Sequence, residues 1–319
     1  MPSEAVYSLY IKRENAHEDP IYSCAWTQAS TSSDPKAPKK DFIATGGLDC
    51  LVKVWQVEKN KLEILHELHG HAMAVMSVAV SPDGHTLATV SIDSTLIIWD
   101  LVSGNKVHEI QSGATDMWKV AFSPDGTQVV SGSHSGKILI YGIEKGIVDR
   151  VLDTRGKFAV CVDWSSDGKY ICSGAVDGTV CIFNVAQGKL IHTVEAHAQT
   201  VRSVAFSQNS QSIVTASNDG YVKVYNAASA NFQCEVNLKS WVLSACFSKE
   251  GRRVAAATAD GCVHFISLDN MNTLKSFKEH ANMVCEVQFN PAGVRLVSVS
   301  KDKCINIYEC PVPPKQSKK

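Results

Sequence analysis

The sequence repeats with a period of about 42 residues, and this repeat constrains the fold more than any other feature. A short turn recurs seven times, each time just before a run of alternating apolar residues such as YVKVY at 221–225. That alternation is typical of a half-buried β-strand. The turn residues are Asp49, Asp93, Ser135, Asp177, Asp219, Asp260 and Asp302, with steps of 44, 42, 42, 42, 41 and 42 residues. The spacing predicts one repeat architecture along the whole chain.

A second series of turns follows the same period. These are SPDG at 81–84 and 123–126, SSDG at 165–168, SKEG at 248–251 and NPAG at 290–293. Proline fixes φ, aspartate accepts from nearby amides, and glycine allows a positive φ, so each sequence is a turn signal. Each unit therefore holds four short strands and no helical pattern. Four strands in 40–45 residues form the blade of a WD-repeat propeller. The sequence predicts an all-β, seven-bladed WD-repeat β-propeller with four antiparallel strands per blade.

The two ends of the chain predict how the ring closes. The last unit supplies only three strands, and the segment 6–11 precedes the first unit without a blade of its own. We expect this N-terminal strand to complete the last blade and cover its open edge. The predicted organisation is a single propeller over residues 1–312, with a polar loop insertion at about 28–41 and a disordered basic tail at 313–319.

Composition excludes several classes of function. The chain has 31 Lys and Arg against 32 Asp and Glu, a formal net charge of −1, which argues against direct nucleic-acid binding. No apolar run approaches the ~18 residues of a membrane span, so no membrane association is expected. The 11 cysteines show no CxxC spacing, and an acidic residue follows the N-terminal Met-Pro-Ser, so we expect reduced thiols in an intracellular protein. No metal and no cofactor are predicted.

A set of polar residues recurs in four units and could be mistaken for a catalytic triad. A catalytic site is normally present once, so repetition predicts a structural hydrogen-bond network instead. In this network the aspartate accepts from the histidine, the histidine contacts the hydroxyl, and an indole or phenol donor completes the chain. We expect no enzyme activity. Each set contains a histidine, a hydroxyl, an aspartate and an aromatic residue: His17, Thr45, Asp49 and Trp55; His71, Thr89, Asp93 and Trp99; His197, Thr215, Asp219 and Tyr225; His280, Ser298, Asp302 and Tyr308.

One face of the ring is predicted to bind a partner protein. Positions three and five after each histidine slot should lie at the start of an innermost strand, on the face that carries the Asp turns. These positions are rich in side chains common at protein interfaces, although an aromatic ring there can instead pack between blades. Asp116 is the only acidic member of the ring. The predicted partner-binding residues are Tyr22, Met76, Trp118, Phe158, Arg202, Trp241 and Met283.

Several stretches resemble one family, the WD-repeat subunit of the superkiller (Ski) complex, which in animals is shared with the Paf transcription-elongation complex. They are LDTRGKF at 152–158, SNDGYVKVY at 217–225, SWVL at 240–243 and IYECPV at 307–312. The resemblance covers the whole chain. It implies a non-catalytic adaptor that binds partners through the face described above, on Tyr22, Met76, Trp118, Phe158 and Trp241.

The resemblance also implies partners and a location. The chain would bind a tetratricopeptide-repeat subunit and help hold a helicase that feeds RNA to the cytoplasmic exosome for 3′-to-5′ decay. In the nucleus it would join Paf complex subunits in transcription elongation and histone modification. We expect a monomeric propeller within hetero-oligomers, in cytoplasm and nucleus. The alternative is a reader of a modified peptide such as a histone tail, which would require an acidic pocket with aromatic walls.

Overall fold

The computed structural model describes residues 6–30, 38–111 and 117–311, and it confirms the predicted seven-bladed propeller. Every regular element of these residues is a β-strand. The strands in chain order are β1 (Ser8–Arg13), β2 (Ile21–Ala29), β3 (Lys40–Gly47), β4 (Val52–Val57), β5 (Leu62–Leu68), β6 (Val75–Val80), β7 (Thr86–Ser91), β8 (Thr95–Asp100), β9 (Lys106–Gln111), β10 (Met117–Phe122), β11 (Gln128–Ser133), β12 (Lys137–Gly142), β13 (Ile147–Asp153), β14 (Ala159–Trp164), β15 (Tyr170–Ala175), β16 (Thr179–Asn184), β17 (Lys189–Glu195), β18 (Val201–Phe206), β19 (Ser212–Ser217), β20 (Tyr221–Asn226), β21 (Phe232–Asn237), β22 (Val242–Phe247), β23 (Arg253–Thr258), β24 (Val263–Ser267), β25 (Thr273–Phe277), β26 (Val284–Phe289), β27 (Arg295–Ser300) and β28 (Ile305–Glu309).

Each blade is a sheet of four antiparallel strands in chain order. Blade 1 is β2 to β5, blade 2 is β6 to β9, and the pattern continues to blade 6, β22 to β25. The first strand of each blade is the innermost, because it contacts the first strand of the next blade around the ring. The contact between β26 and β2 closes the circle. Among the described residues, no helix is long and apolar enough to cross a membrane.

The N-terminal strand completes blade 7, as the sequence predicts. Strand β1 pairs antiparallel with β28, with Ser8 opposite Glu309. It begins two residues later than the predicted segment 6–11. The buried Arg253 of blade 6 holds both terminal segments, since its Nη1 donates to the Tyr7 hydroxyl at 2.9 Å and to the Pro311 carbonyl at 2.7 Å.

The hydrophobic core of the described residues lies in wedges between adjacent blades. One such cluster contains Val52 and Val54 of blade 1 with Val75 and Val78 of blade 2, and equivalent clusters fill each other junction around the ring. Successive side chains of a strand point to opposite faces of the sheet, and apolar residues occur on both faces, where the neighbouring blades cover them. Burial between blades therefore fixes their order and spacing.

The hairpin turns adopt the geometry that their residues require. In SPDG at 81–84, the Asp83 carboxylate accepts from the Ser81 hydroxyl and from the His85 amide, the latter at 3.0 Å. Gly84 has φ of +84°, a left-handed conformation that favours glycine. The Thr86 amide donates to the Ser81 hydroxyl at 2.9 Å, so the turn leads directly into β7.

The insertion in blade 1 is shorter than the predicted 28–41. Strand β2 continues through Ala29 and β3 begins at Lys40, so both strands extend into the predicted loop. Gln28 and Asp41 are paired across the strands, and the Asp41 carboxylate accepts from Gln28 Nε2 at 3.1 Å and from Trp26 Nε1 at 2.9 Å. Residues 31–37 of the insertion, and the predicted tail at 313–319, lie outside the described residues.

The recurring polar residues are joined by hydrogen bonds in four blades. Histidine Nδ1 lies 2.9–3.3 Å from the aspartate carboxylate and Nε2 lies 2.7–2.8 Å from the hydroxyl. The same aspartate accepts the amide that follows the histidine, at 2.8–3.1 Å. Each network therefore ties the loop before an innermost strand to the turn before the third strand. The sets are His17, Thr45 and Asp49; His71, Thr89 and Asp93; His197, Thr215 and Asp219; His280, Ser298 and Asp302.

The aromatic member of the network differs between blades. Trp55 and Trp99 donate from Nε1 to Thr45 and Thr89, both at 2.9 Å. The expectation that Tyr225 does the same is wrong, because its hydroxyl donates to the Ala196 carbonyl at 3.2 Å. A phenol carries its hydroxyl at the tip of the ring, whereas an indole carries its N–H at the side. In blade 7, the Tyr308 hydroxyl accepts from Asn306 Nδ2 at 3.3 Å.

Candidate partner-binding face

Seven residues, one from each blade, occupy the same register of the innermost strands and form a ring around the propeller axis. Where the ring member is a serine, its hydroxyl accepts an amide of the next blade: Val78 N–H donates to Ser23 at 3.0 Å and Val120 N–H to Ser77 at 3.2 Å. These bonds pin neighbouring innermost strands together. The ring consists of Ser23, Ser77, Lys119, Cys161, Ser203, Ser244 and Glu286.

Two charged members of this ring form an ion pair across the channel. Lys119 belongs to blade 3 and Glu286 to blade 7, and Lys119 Nζ contacts Glu286 Oε1. The other carboxylate oxygen, Oε2, accepts from the Ser23 hydroxyl at 2.5 Å and from the Cys24 amide at 3.0 Å. Burial alone would lower the pKa of Lys119, but the charge and hydrogen bond of Glu286 hold it above its usual value.

The ion pair lies between two cavities. Both Lys119 and Glu286 line a cavity of about 480 Å³ on the face that carries the Asp turns, and both also line one of about 490 Å³ toward the opposite face. We call them the upper and the lower cavity. The pair therefore lies at the boundary between the two cavities and forms the floor of the upper one, at the mouth of the channel.

Six of the seven predicted partner-binding residues line the upper cavity. They come from six different blades and are Tyr22, Met76, Trp118, Arg202, Trp241 and Met283. Apolar side chains fill most of the remaining wall. The other lining residues are Leu48, Ala74, Ile92, Lys119, Val160, Ser203, Leu243, Ser244, Cys285, Glu286 and Lys301.

Phe158, the seventh predicted residue, does not line the cavity. Its ring is half-buried and packs against two neighbours, with centroids 4.6 Å from His134 and 5.9 Å from Trp118. Aromatic packing at these distances and tilts is favourable. Phe158 thus packs against Trp118 outside the cavity. This agrees with the alternative that an aromatic ring of this face packs between blades.

The two tryptophans of the cavity differ in their exposure to solvent. The Trp241 side chain is 47 % exposed, although large apolar side chains are usually covered. The Trp118 indole is half-buried, and its Nε1 is buried without a hydrogen-bond partner among the described residues. An unpaired buried donor costs about 1–3 kcal/mol.

Positive charge lies at the wall of the cavity and negative charge at its floor. The exposed Arg202 donates from Nε to Asn218 Oδ1 at 3.0 Å, and Lys301 Nζ lies 6.0 Å from the centroid of the Tyr22 ring. The carboxylate of Glu286 is already engaged by Lys119. Asp116, the acidic residue that the sequence placed in the ring, lies outside the described residues.

Sequence reasoning missed the floor and part of the wall. Leu48 and Ile92 come from the turns before the third strands, immediately before Asp49 and Asp93. Lys119 and Glu286 are charged residues inside otherwise apolar inner strands, MWKVAF and VCEVQF. A charged residue within such a strand could have indicated the floor of the cavity. The channel is the polar environment that a side chain of an innermost strand can reach.

The lower cavity carries a second buried acid. The Asp163 carboxylate accepts from the Phe206 amide of the next blade at 2.7 Å. Burial raises the pKa of Asp163 to about 6. Its position and bond match those of Gln288, which accepts from the Trp26 amide at 2.7 Å across the junction of blades 7 and 1. The acid therefore has a role in joining blades.

The upper cavity has the chemistry of a binding surface. Within the described part of the chain, one carboxylate lines it, that of Glu286, and this group is paired with Lys119. Aromatic rings, methionines and an arginine at the mouth are the residue types enriched where proteins bind proteins.

Comparison with known families agrees with this geometry. A model described as the IFT122 first beta-propeller matches residues 37–309, most of the chain. The chain belongs to this family of WD-repeat propellers. A second model, the WD domain or G-beta repeat, matches residues 8–56. Membership of the WD-repeat class indicates a protein-interaction scaffold.

Individual relatives match over shorter stretches. WD repeat-containing protein SL1-17 of Schistosoma mansoni is 30% identical over 99 residues, covering 31% of this chain and 31% of that protein. WD repeat-containing protein VIP3 of Arabidopsis thaliana is 32% identical over 28% of this chain and 25% of its own length. Small ribosomal subunit protein RACK1y of Oryza sativa subsp. japonica is 42% identical over 23% of this chain and 20% of that protein. The chain thus spans a third or less of each of these curated relatives.

Proposed function

We propose that this WD-repeat propeller is a non-catalytic scaffold subunit that binds a partner protein through its upper cavity. The observation that carries the proposal is the convergence of side chains from six blades on one depression, Trp118 and Trp241 among them. Exposed apolar surface of this kind is costly in water and is kept where a partner covers it. Lys119 and Glu286 at the floor separate this depression from the lower cavity.

The cavity favours a particular kind of partner segment. Its aromatic and methionine walls suit an apolar side chain, and methionines adapt to irregular shapes. The half-buried Trp118 indole lines the cavity and offers an aromatic contact to that side chain. Arg202 at the mouth is exposed and favours a carboxylate or carbonyl beside the inserted group. The proposed ligand is a short peptide segment with one apolar anchor.

The assemblies that we propose are the superkiller complex and the Paf complex. The support is the resemblance carried by LDTRGKF at 152–158 and IYECPV at 307–312. In the first assembly the partners are a tetratricopeptide-repeat subunit and a helicase for exosome-assisted mRNA decay in the cytoplasm. In the second they are Paf complex subunits in the nucleus. Two similar proteins are named as parts of larger assemblies, the rice small ribosomal subunit protein and a subunit of chromatin assembly factor 1 from Gallus gallus, and they support the role of a subunit.

A reader of a modified histone tail is the second candidate. The aromatic walls favour it, because methylated lysine binds in aromatic cages. The floor disfavours it, because the one described carboxylate in the cavity, Glu286, is already paired with Lys119. A cationic peptide side chain would have to compete with that lysine.

Binding of the purified chain to the tetratricopeptide-repeat subunit tests the proposal. Trp241→Ala should weaken binding by about 2 kcal/mol or more, the scale of an interface hot spot. Phe232→Ala is the matched control, since Phe232 is 55 % exposed but lies on the outer strand β21. Equal binding by wild type and Trp241→Ala, with both folded, would refute the proposal. Capture of methylated histone peptides in place of the subunit would support the second candidate.

A separate experiment addresses the assemblies. Tagged chain is purified from nuclear and from cytoplasmic fractions, and the bound proteins are identified by mass spectrometry. We expect superkiller subunits in the cytoplasmic fraction and Paf subunits in the nuclear one. Recovery of neither set, in a preparation where the tagged chain is intact, would contradict this assignment while leaving the cavity test unaffected.

A further inference from the structure

The turn before the third strand of blade 6 departs from those of the other blades. Its aspartate, Asp260, has Leu238 where four other blades have the partner histidine, and Ala256 stands in the hydroxyl position. Two other reactive residues follow it instead. Cys262 comes two positions after Asp260 and His264 comes four positions after it, at the start of β24.

These three side chains meet at one point. One ligand atom from each of Asp260, Cys262 and His264 lies within 4.8 Å of the others, and in the described part of the chain this is the one group of three with that geometry. Cys262 is buried, His264 is half-buried and Asp260 is exposed. The group is therefore open to solvent on the side of its carboxylate.

The hydrogen bonds of His264 leave one nitrogen facing the group. Nδ1 lies 2.8 Å from the Ser276 hydroxyl on the adjacent strand β25. Nε2 lies 3.4 Å from the Thr258 hydroxyl, which in turn donates to the Asp260 carboxylate at 2.6 Å. A metal-binding histidine is usually oriented by a hydrogen bond at its other ring nitrogen, and Ser276 is placed to do this.

The combination of cysteine and histidine is confined to this turn. At the same two positions the other six turns carry Leu51 and Lys53, Thr95 and Ile97, Lys137 and Leu139, Thr179 and Cys181, Tyr221 and Lys223, and Cys304 and Asn306. Blade formation thus requires neither residue type. CxxC and HExxH patterns do not describe the group, because its ligands stand at alternate positions from the turn at Asp260 into β24.

We propose that Asp260, Cys262 and His264 bind a zinc ion. Sulfur, imidazole nitrogen and carboxylate oxygen are the donors zinc takes, in tetrahedral geometry, with water in the fourth position at an open site. Tetrahedral donors lie about 3.3–3.8 Å apart at the usual zinc–ligand distances. The exposed Asp260 can close the remaining gap. As the zinc–sulfur bond forms, the Cys262 thiol proton leaves to solvent.

The proposed zinc site lies next to backbone that is hydrogen-bonded to Trp241. The Ala259 amide, adjacent to Asp260, donates to the Trp241 carbonyl at 2.9 Å. Trp241 is the most exposed of the aromatic side chains that line the upper cavity. A zinc ion that fixes the 258–264 turn would hold the backbone that presents this indole. The proposal itself does not depend on what binds there.

Titration of the chelator-treated full chain with CoCl2 and with ZnCl2 tests the site. The wild type should bind one equivalent of Co²⁺ with a thiolate-to-cobalt charge-transfer band and the strong visible bands of tetrahedral coordination. ZnCl2 should displace the cobalt and abolish both. Cys262→Ser should lose the charge-transfer band, and His264→Gln should weaken zinc binding about tenfold or more. Absence of a charge-transfer band in the wild type would overturn the proposal.

Cys304→Ser is the matched control. Cys304 occupies the same register in blade 7, two positions after Asp302, but Asn306 stands where blade 6 has the histidine. We expect this variant to bind both metals as the wild type does. Unchanged binding by Cys262→Ser, or loss of binding in Cys304→Ser alone, would overturn the assignment. Circular dichroism of each variant establishes that it is folded.

Discussion

Lys119 of blade 3 and Glu286 of blade 7 reach across the central channel and form an ion pair, with both side chains largely shielded from solvent. They lie near opposite sides of the ring and far apart in the chain. The ion pair is thus a tie between blades that share no strand contact, in addition to the junctions between neighbours.

The two members of this pair should differ in their effect on stability. Glu286→Ala removes the partner of Lys119 and also the acceptor of Ser23 and Cys24, so we expect a loss of about 2–3 kcal/mol in the free energy of unfolding. Lys119→Met leaves those two donors satisfied and should cost about 1 kcal/mol. Urea denaturation of both variants measures this. A larger loss for Lys119→Met would show that Glu286 is not the centre of the contact.

Loss of a network aspartate should destabilise the fold more than loss of Ser135, the serine that replaces this aspartate in blade 3. Asp93 accepts from the Ala72 amide at 2.8 Å and from the Thr95 amide at 2.9 Å, besides its contact with His71. Asp93→Ala should therefore lower the free energy of unfolding by about 2–4 kcal/mol. Ser135→Ala loses one bond, to the Ser133 hydroxyl, and should cost under ~1 kcal/mol. Equal melting temperatures would contradict this interpretation.

Replacing Trp118 by phenylalanine should separate stability from binding. The change keeps an aromatic ring and removes the buried Nε1–H, which has no hydrogen-bond partner in the part of the chain that the structure describes. The folded propeller should be as stable as the wild type or more stable by up to about 1 kcal/mol, because an unsatisfied donor is lost. Affinity for the partner should change by less than about threefold, because the N–H is buried and an aromatic ring still lines the cavity. Thermal unfolding tests the prediction on stability, and calorimetric titration tests the prediction on affinity. An unstable variant would mean that the indole N–H has a partner in the fold.

Stability should fall as the pH drops below about 6.5, the ordinary pKa of histidine. Burial lowers the pKa of His71 and His197 more than their aspartates raise it. The unfolded chain therefore binds more protons than the folded chain below that pH, and acid favours unfolding. The pKa of Asp93 and of Asp219 is also lowered, since hydrogen bonds outweigh burial, so a second loss follows below about pH 4.

The melting temperature between pH 7.5 and 5 checks this expectation. His71→Gln should reduce its pH dependence. His85→Gln, at an exposed histidine in a hairpin turn, serves as the control. A melting temperature that rises toward pH 5 would have the opposite sign and contradict the assignment of His71 and His197.

The blade count and the closure by β1 could be predicted because both depend on local signals. The Asp turns and the SPDG-type turns mark every unit, and a unit with three strands requires a fourth from elsewhere. The pairing of Lys119 with Glu286 could not be predicted, since it depends on the width of the channel. The expectation that a phenol completes the network as an indole does is wrong for Tyr225, because the two rings carry the polar hydrogen at different positions. The insertion was overestimated because Gln28 and Asp41 are polar and yet belong to strands.

The closure of blade 7 has a consequence for the order of events during synthesis. Within the propeller, strand β1 is made before every other strand and its partner β28 after them, so Ser8 and Glu309 cannot meet until all seven blades have been synthesised. Until then β1 is an unpaired edge that any exposed strand could capture. We therefore expect the nascent chain to need protection of its first segment, and the circle to be sealed as a final, single step.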